Sequence, residues 1–275
     1  MQKFLGLLAI GVCSSAFVAL PASAQTPPEV TLTRLDCGTD ASASPRDIGR
    51  FSDTFAYQGQ KRQFTFSCYV IKHGDEYMVW DTGFAPGQNP QAPKVSLADQ
   101  LATLKLTPDQ VKYVGISHYH ADHTSQLPSL PKATLLIGKG DWDAVNAPKP
   151  AEGVNAAAFT HWVSGGGKAE PVALDKDVFG DGTVIMLNTP GHTPGHHSLL
   201  VKLRERGNFL ITGDLVHFHE NYASNGVPWF NVSRADSLAS IDRFKKLAQT
   251  FRATVIIQHD ARDVGKLPAF PAGAK

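Results

Sequence analysis

Along the chain, short apolar runs stop again and again at polar, chemistry-bearing residues. Val30–Cys37 alternates weakly and predicts a first strand. Phe64–Lys72 and Tyr77–Asp81 are apolar runs parted by His73-Gly74-Asp75-Glu76, which predicts a hairpin whose second strand ends in the tight turn Asp81-Thr82-Gly83. Ser96 and Asp99 form a capping pattern for a helix carrying Leu97, Leu101 and Leu104 at helical spacing, and Thr107, Pro108 and Gln110 repeat that logic. Tyr113–Ser117, Ala133–Ile137, Thr183–Asn188, Ser198–Leu203, Phe209–Thr212 and Thr254–Gln258 predict further strands, and Gly140–Val145 a short helix. Ser233 and Asp236 cap a helix with Leu238, Ile241, Phe244, Leu247 and Phe251 on one face. Asp40–Arg50 and Ala147–Gly167 are rich in small and turn-forming residues and predict irregular connections. Interleaved strands and helices predict an α/β layered fold with a site built on loops. No linker, charge block or repeat divides residues 25–275, which read as one domain.

The first 24 residues follow another pattern. Lys3 precedes a mostly apolar run from Phe4 to Leu20, Pro21 breaks it, and Ala22-Ser23-Ala24 fits a small-x-small cleavage site. The run falls short of the roughly 20 residues a membrane span needs. Residues 1–24 therefore read as a secretory signal, with Gln25 as the mature start and a periplasmic or secreted location. Export places Cys37 and Cys68, the two cysteines of the mature chain, in an oxidising compartment. They read equally well as a disulfide or as two buried thiols.

Composition narrows the partners. The 275 residues carry 26 Lys plus Arg against 25 Asp plus Glu. That balance gives no electrostatic case for a nucleic acid or an anionic membrane, so neither is expected as a partner after signal removal. Cysteine spacing offers no metal motif, so any metal must be held by His and Asp.

The chain's 11 histidines matter through their positions. Ser117-His118-Tyr119-His120-Ala121-Asp122-His123 places three histidines and an aspartate directly after a buried strand. Imidazoles at i and i+2 of an extended backbone face one way and suit one metal; Asp122 and His123, turned elsewhere, suit a second. Thr189-Pro190-Gly191-His192-Thr193-Pro194-Gly195-His196, Ile211-Thr212-Gly213-Asp214 and Gln258-His259-Asp260 each put a ligand-type residue where a strand stops. Asp81 reads either as an orienting partner of a ligand histidine or as a cap of its own turn. His196 and His197 read as supporting or strand residues, and His73 and His161 as solvated loop positions. Trp229 and Phe230, with His219 and Tyr222, read either as walls of an acyl pocket or as anchors of the loop before the capped helix.

His118-x-His120-x-Asp122-His123, with His192, Asp214 and His259 downstream, resembles the metallo-β-lactamase superfamily over roughly residues 60–260. The resemblance implies a four-layered αβ/βα sandwich with metals at one edge of its two sheets. It implies that His118, His120 and His192 hold a first metal, that Asp122, His123 and His259 hold a second, and that Asp214 bridges them. Two zinc ions are expected, with other divalent metals an alternative. The run Thr189–Leu200 with Gly213-Asp214, and Asp81-Thr82-Gly83, is similar to N-acyl-homoserine lactonases. His217 stands where those lactonases often carry a tyrosine, and Ser125-Gln126 where the family commonly has glycines. The implied activity is opening of a lactone, N-acyl-homoserine lactones first, by a hydroxide shared between two metals. Asp122, Asp214 and His217 are the expected catalytic residues. The same site on another ester, a thioester, a phosphotriester or a β-lactam is the alternative. The partner is a small lactone or ester, and a homodimer is left open.

Overall fold

The structure is a computed structural model that describes residues 28–39 and 45–275. The signal reading of residues 1–24 lies outside the described residues, as do residues 40–44 of the first predicted connection. In chain order, the first half supplies β1 (Val30–Thr39), a short ribbon of β2 (Arg46–Asp47) and β3 (Lys61–Arg62), then β4 (Thr65–His73), β5 (Glu76–Trp80), β6 (Val111–Gly115), β7 (Thr134–Gly138) and β8 (Ala169–Val172). The second half supplies β9 (Lys176–Asp177), β10 (Val184–Asn188), β11 (His197–Leu203), β12 (Gly207–Ile211) and β13 (Thr254–Ile256). The helices are α1 (Leu97–Thr103), α2 (Ala121–Thr124), α3 (Lys139–Val145), α4 (Ala156–Val163), α5 (His219–Ser224) and α6 (Arg234–Thr250).

Two sheets result. One runs β1-β4-β5-β6-β7-β8 and the other β13-β12-β11-β10-β9. Strand β4 shows why they stack. Its residues Thr65–Ile71 are all buried, so both of its faces need cover. Phe66, Cys68 and Val70 meet Leu97 and Leu101 of α1 and Phe159 and Trp162 of α4. Tyr69 and Ile71 point the other way and meet Met186, Leu199, Val201 and Ile211 of the second sheet. Across that sheet, Leu187, Leu200 and Leu210 receive Ile241, Phe244 and Ala248 of α6. The order is helices, sheet, sheet, helix: the four layers that the resemblance implied. Cys37 and Cys68 are joined as a disulfide across the β1–β4 pair, with Cα atoms 5.7 Å apart.

Several expectations need correction. Ala147–Gly167 is not wholly irregular, because it contains α4, with Ala158, Phe159 and Trp162 buried. Its alanine run carries no apolar periodicity, and the Pro and Gly around it mask the helix. The buried face of α6 is turned from the predicted one: Ser237 and Ser240 are buried with Ile241 and Phe244, while Leu238 is only half-buried. Those serines face a loop of the other elements, where Ser240 Oγ donates to the Pro190 carbonyl at 2.7 Å. His73 is not a free loop residue; its ring stacks on Phe179 and pairs with Asp181 at 2.8 Å.

Strand direction positions the chemistry. Strands β5 and β6 are parallel, as are β12 and β13, and β10 runs with β12 because each is antiparallel to β11. The C-terminal ends of these strands lead to Asp81, His118, His192, Asp214 and His259.

Candidate metal centre

His118 and His120 follow β6, and His120, on extended backbone, precedes α2, which carries Asp122 and His123. His192 lies on the loop between β10 and β11, Asp214 follows β12, and His259 follows β13. The loops bring these seven residues into two sets. His118, His120, His192 and Asp214 place donor atoms within 4.8 Å of one another, and so do Asp122, His123, Asp214 and His259.

Asp214 belongs to both sets, one oxygen to each. Its Oδ2 lies 3.3 Å from His192 Nε2 and 3.7 Å from His118 Nε2. Its Oδ1 lies 2.9 Å from His259 Nε2 and 3.1 Å from His123 Nε2. Asp122 Oδ2 stands 3.6 Å from His259 Nε2 and 3.7 Å from His123 Nε2.

This donor set fits cations better than it fits hydrogen bonds. His123 Nε2 faces His259 Nε2 at 3.2 Å, and His120 Nδ1 faces His118 Nε2 at 2.8 Å and His192 Nε2 at 3.1 Å. Protons cannot satisfy so many converging ring nitrogens, whereas a divalent cation accepts all their lone pairs. Asp214 Oδ1 is buried without a hydrogen-bond partner. Burial holds His118 and His192 well below the usual histidine range and lowers His120, keeping them neutral as ligands must be. Burial also presses on His123 and His259, but the carboxylates of Asp214 and Asp122, with Asp81 beside His123, together outweigh it and raise both. Burial likewise opposes ionisation of Asp214, yet the charges of His259 and His123 hold its carboxyl well below the ordinary value.

The outer ring nitrogens are fixed as well. His123 Nδ1 meets Asp81 Oδ2 at 2.8 Å, and His118 Nδ1 meets Ser117 Oγ at 3.0 Å. His192 Nδ1 meets Asn231 Oδ1 at 2.9 Å, and His259 Nδ1 meets the Thr65 carbonyl at 2.9 Å. Such partners choose the tautomer that leaves the inner nitrogen free to ligate. His196 is not a ligand: its Nε2 accepts from the Asp214 backbone N–H at 2.9 Å, and burial pushes its pKa down to about 3. Gly213 holds that approach open, with φ of +55° and a space where a Cβ would come within 2.7 Å of His196 Nε2.

His217 is buried, with Nε2 3.1 Å from Asp214 Oδ2 and its ring stacked 5.5 Å from His259. Its Nδ1 has no hydrogen-bond partner. A cavity of about 800 Å³ opens over His120, Asp122, His192, Asp214, His217 and His259. Its apolar wall is aromatic: Phe51, Phe64, Phe66, Phe84, Trp229 and Phe230. Trp229 and Phe230 thus do line a pocket, and Phe230 also packs on Phe51 at 5.4 Å. His219 turns away to Asp263 at 2.7 Å. The guanidinium of Arg50 covers Phe230 at 4.5 Å, and that of Arg46 covers Phe64 at 5.8 Å.

Sequence reasoning missed Asn231, Gln258 and the phenylalanines at 51, 64, 66 and 84. Gln258 carried a weak signal, since it adjoins His259; Asn231 carried none, because its role is a contact with a residue 39 positions away.

Comparison with known proteins agrees with this geometry. The profile of the metallo-beta-lactamase superfamily matches residues 65–259. N-acyl homoserine lactonase AttM of Rhizobium radiobacter is 32% identical over 178 residues, which cover 59% of this chain and 63% of that protein. The chain thus spans less than two thirds of that relative's length. An N-acyl homoserine lactonase of Bacillus cereus is 26% identical over 227 residues, covering 74% of this chain and 84% of that one. A crystal structure of a quorum-quenching N-acyl homoserine lactone hydrolase superposes with a TM-score of 0.75 at 21% identity, over 90% of this chain and 99% of that one.

Proposed function

The chain belongs to the metallo-beta-lactamase superfamily, and on that premise we propose that it is a dinuclear zinc hydrolase that opens lactones, with N-acyl homoserine lactones as its substrates. The observation that carries the proposal is Asp214, whose two oxygens each face a separate set of ligand residues beneath an aromatic cavity. The names of its relatives support the choice of lactone.

Two bound zinc ions supply Lewis acidity and water activation at neutral pH. The protein's own residues do the rest. His118, His120 and His192 would hold one ion and Asp122, His123 and His259 the other, with Asp214 common to both sets. His217 lines the cavity and donates from Nε2 to Asp214 Oδ2, which leaves Nδ1 of its neutral ring an acceptor, so it orients that carboxylate beside the substrate. The acyl chain lies along Phe51, Phe64 and Phe230, which exclude water from it.

Export is part of the same reading. The N-terminal pattern predicts it, and the Cys37–Cys68 disulfide supports an oxidising compartment. Among the described residues no helix is long and apolar enough to cross a membrane.

The test is a substrate panel on zinc-loaded protein: N-acyl homoserine lactones, a thioester, a phosphotriester, an aryl ester and a penicillin. Turnover is followed by proton release. Lactones should lead by at least about tenfold in kcat/KM, the ratio that 1.4 kcal/mol of preferential transition-state binding gives. Faster turnover of any other class overturns the substrate reading, and fewer than two tightly held ions per chain overturns the site.

A further inference from the structure

Asp141 is a fully buried carboxylate outside the metal centre, on α3, and no step above uses it. Its Oδ1 accepts from the Gly195 backbone N–H at 2.6 Å and its Oδ2 from Thr193 Oγ at 2.8 Å. Thr193 follows His192 directly, and α3 follows β7, the strand beside β6 that leads to His118. One side chain therefore ties the loop that presents His192 to the sheet that presents His118 and His120.

The packing around it is specific to that contact. A Cβ on Gly138 would fall 1.7 Å from the Gly195 carbonyl oxygen, and one on Gly140 would fall 2.7 Å from the Pro194 carbonyl. A Cβ on Gly195 would fall 2.3 Å from the Asp141 nitrogen. Three glycines thus let the turn from β7 into α3 touch the 193–195 backbone directly. Burial pushes the Asp141 carboxyl up to about 7 although its hydrogen bonds from Thr193 and Gly195 pull it down. An apolar residue would fill the space without that penalty but would leave these donors of the His192 loop unpaired.

We propose that Asp141 is a positioning residue that clamps the His192 loop to α3 and so governs retention of the metal held by His118, His120 and His192. The proposal rests on that trio being a metal site, as read above. His192 is then held from two sides, by Asn231 on its Nδ1 and by Asp141 through the backbone that follows it.

The experiment compares wild type with Asp141→Ala, Asp141→Asn and Thr193→Val. Zinc release to a chromophoric chelator gives the number of ions and their rates, and the visible spectrum of the cobalt-substituted protein reports ligand geometry; neither readout depends on turnover. In Asp141→Ala one of the two ions should leave at least about tenfold faster, the low end of the usual effect of removing a ligand's supporting partner, while the other leaves at the wild-type rate. Asp141→Asn should lose less, because its amide oxygen still accepts from Gly195 N–H and the Thr193 hydroxyl can turn to accept from the new NH₂. Should Asp141→Ala fail to fold, Thr193→Val, which removes one donor and keeps the side-chain shape, decides the matter and should accelerate release of the same ion. Wild-type release of both ions in every folded variant overturns the clamp. A wild type that binds two ions yet opens no lactone overturns only the substrate reading, and a wild type without two ions overturns both.

Discussion

Replacing Asp81 with asparagine exchanges one oxygen for an NH₂ group and leaves the shape of the side chain unchanged. Asp81 follows β5 with φ of +57°, a conformation Asp and Asn both tolerate, so backbone strain stays constant. Its Oδ2 receives His123 Nδ1 at 2.8 Å, Gln258 Nε2 at 2.7 Å and Ser117 Oγ at 3.0 Å, while Oδ1 receives the Ser117 backbone N–H at 2.7 Å. All four bonds reach residues remote from its own turn, so Asp81 orients a candidate ligand histidine, the role its sequence context favoured, rather than capping that turn. Every partner can donate to it. An asparagine keeps most of these contacts with its oxygen in the Oδ2 place, and its NH₂ then opposes the Ser117 N–H. One buried donor left unpaired costs about 1–3 kcal/mol. The remaining bonds become neutral rather than charge-assisted, and His123 loses the carboxylate that raises its basicity as a ligand. Affinity for the ion held by Asp122, His123 and His259 should fall by roughly 10–100-fold, equivalent to about 1.4–2.7 kcal/mol. Competition with a chelator measures it, and urea unfolding of the apoprotein separates loss of fold from loss of metal. Affinity within twofold of wild type at equal apoprotein stability would refute the reasoning.

Three other expectations follow from the same structure. His217→Ala should lower turnover roughly 10–100-fold, the usual effect of removing the partner of a ligating carboxylate, while bound zinc stays at two per chain; unchanged steady-state kinetics would remove His217 from the chemistry. Opening the Cys37–Cys68 link by replacing both residues with alanine should cost about 3–4 kcal/mol in urea unfolding, the loop-entropy value for a separation of 31 residues, and a loss under about 1 kcal/mol would contradict it. Partial burial works against ionisation of Glu220, but Arg262 and Arg62 outweigh it and bring its pKa down to about 2. A carboxyl lowered by folding stabilises the protein above its unfolded value near 4.5 and loses that contribution as pH falls toward 2. Glu220→Gln should therefore cost about 1–2 kcal/mol at pH 7, discounted for the half-exposed arginines, and the difference from wild type should vanish near pH 2. A difference independent of pH would contradict the assignment.

What could be read in advance depended on whether the physics is local in the chain. The strands stood out because β4, β11 and their neighbours are buried on both faces and so appear as nearly continuous apolar runs. The run from His118 to His123 stood out because one short segment must supply ligands to two sets, which forces unusual residues into close succession. Helix α4 stayed hidden because its inward residues, Ala158, Phe159 and Trp162, lie in a stretch whose composition says loop. The face of α6 was misjudged for a related reason. Ser237 and Ser240 are buried to meet the loop of His192, and hydrophobic periodicity cannot register a buried serine.

The parts that escaped prediction share a physical character: each acts through a partner remote in sequence. Asn231 takes its meaning from His192, and its amide is anchored in turn by Ser237 Oγ at 2.9 Å, at the start of the helix that also supports Pro190. Gln258 ties Asp81 to the Ser67 carbonyl, joining the end of β13 to β4 in the other sheet. These contacts explain why six candidate ligand residues from three segments converge closely enough to share the Asp214 carboxylate. Each loop is held at its root by a buried polar group from another layer, so the ligand geometry is a property of how the two sheets stack. A core substitution that shifts one sheet against the other, such as truncation of Met186 or Leu199 where they meet Tyr69 and Ile71, should therefore weaken metal binding as well as stability. Truncation of Leu247, which packs at the far end of α6 from Ser237 and Ser240, should lower stability while leaving metal affinity intact.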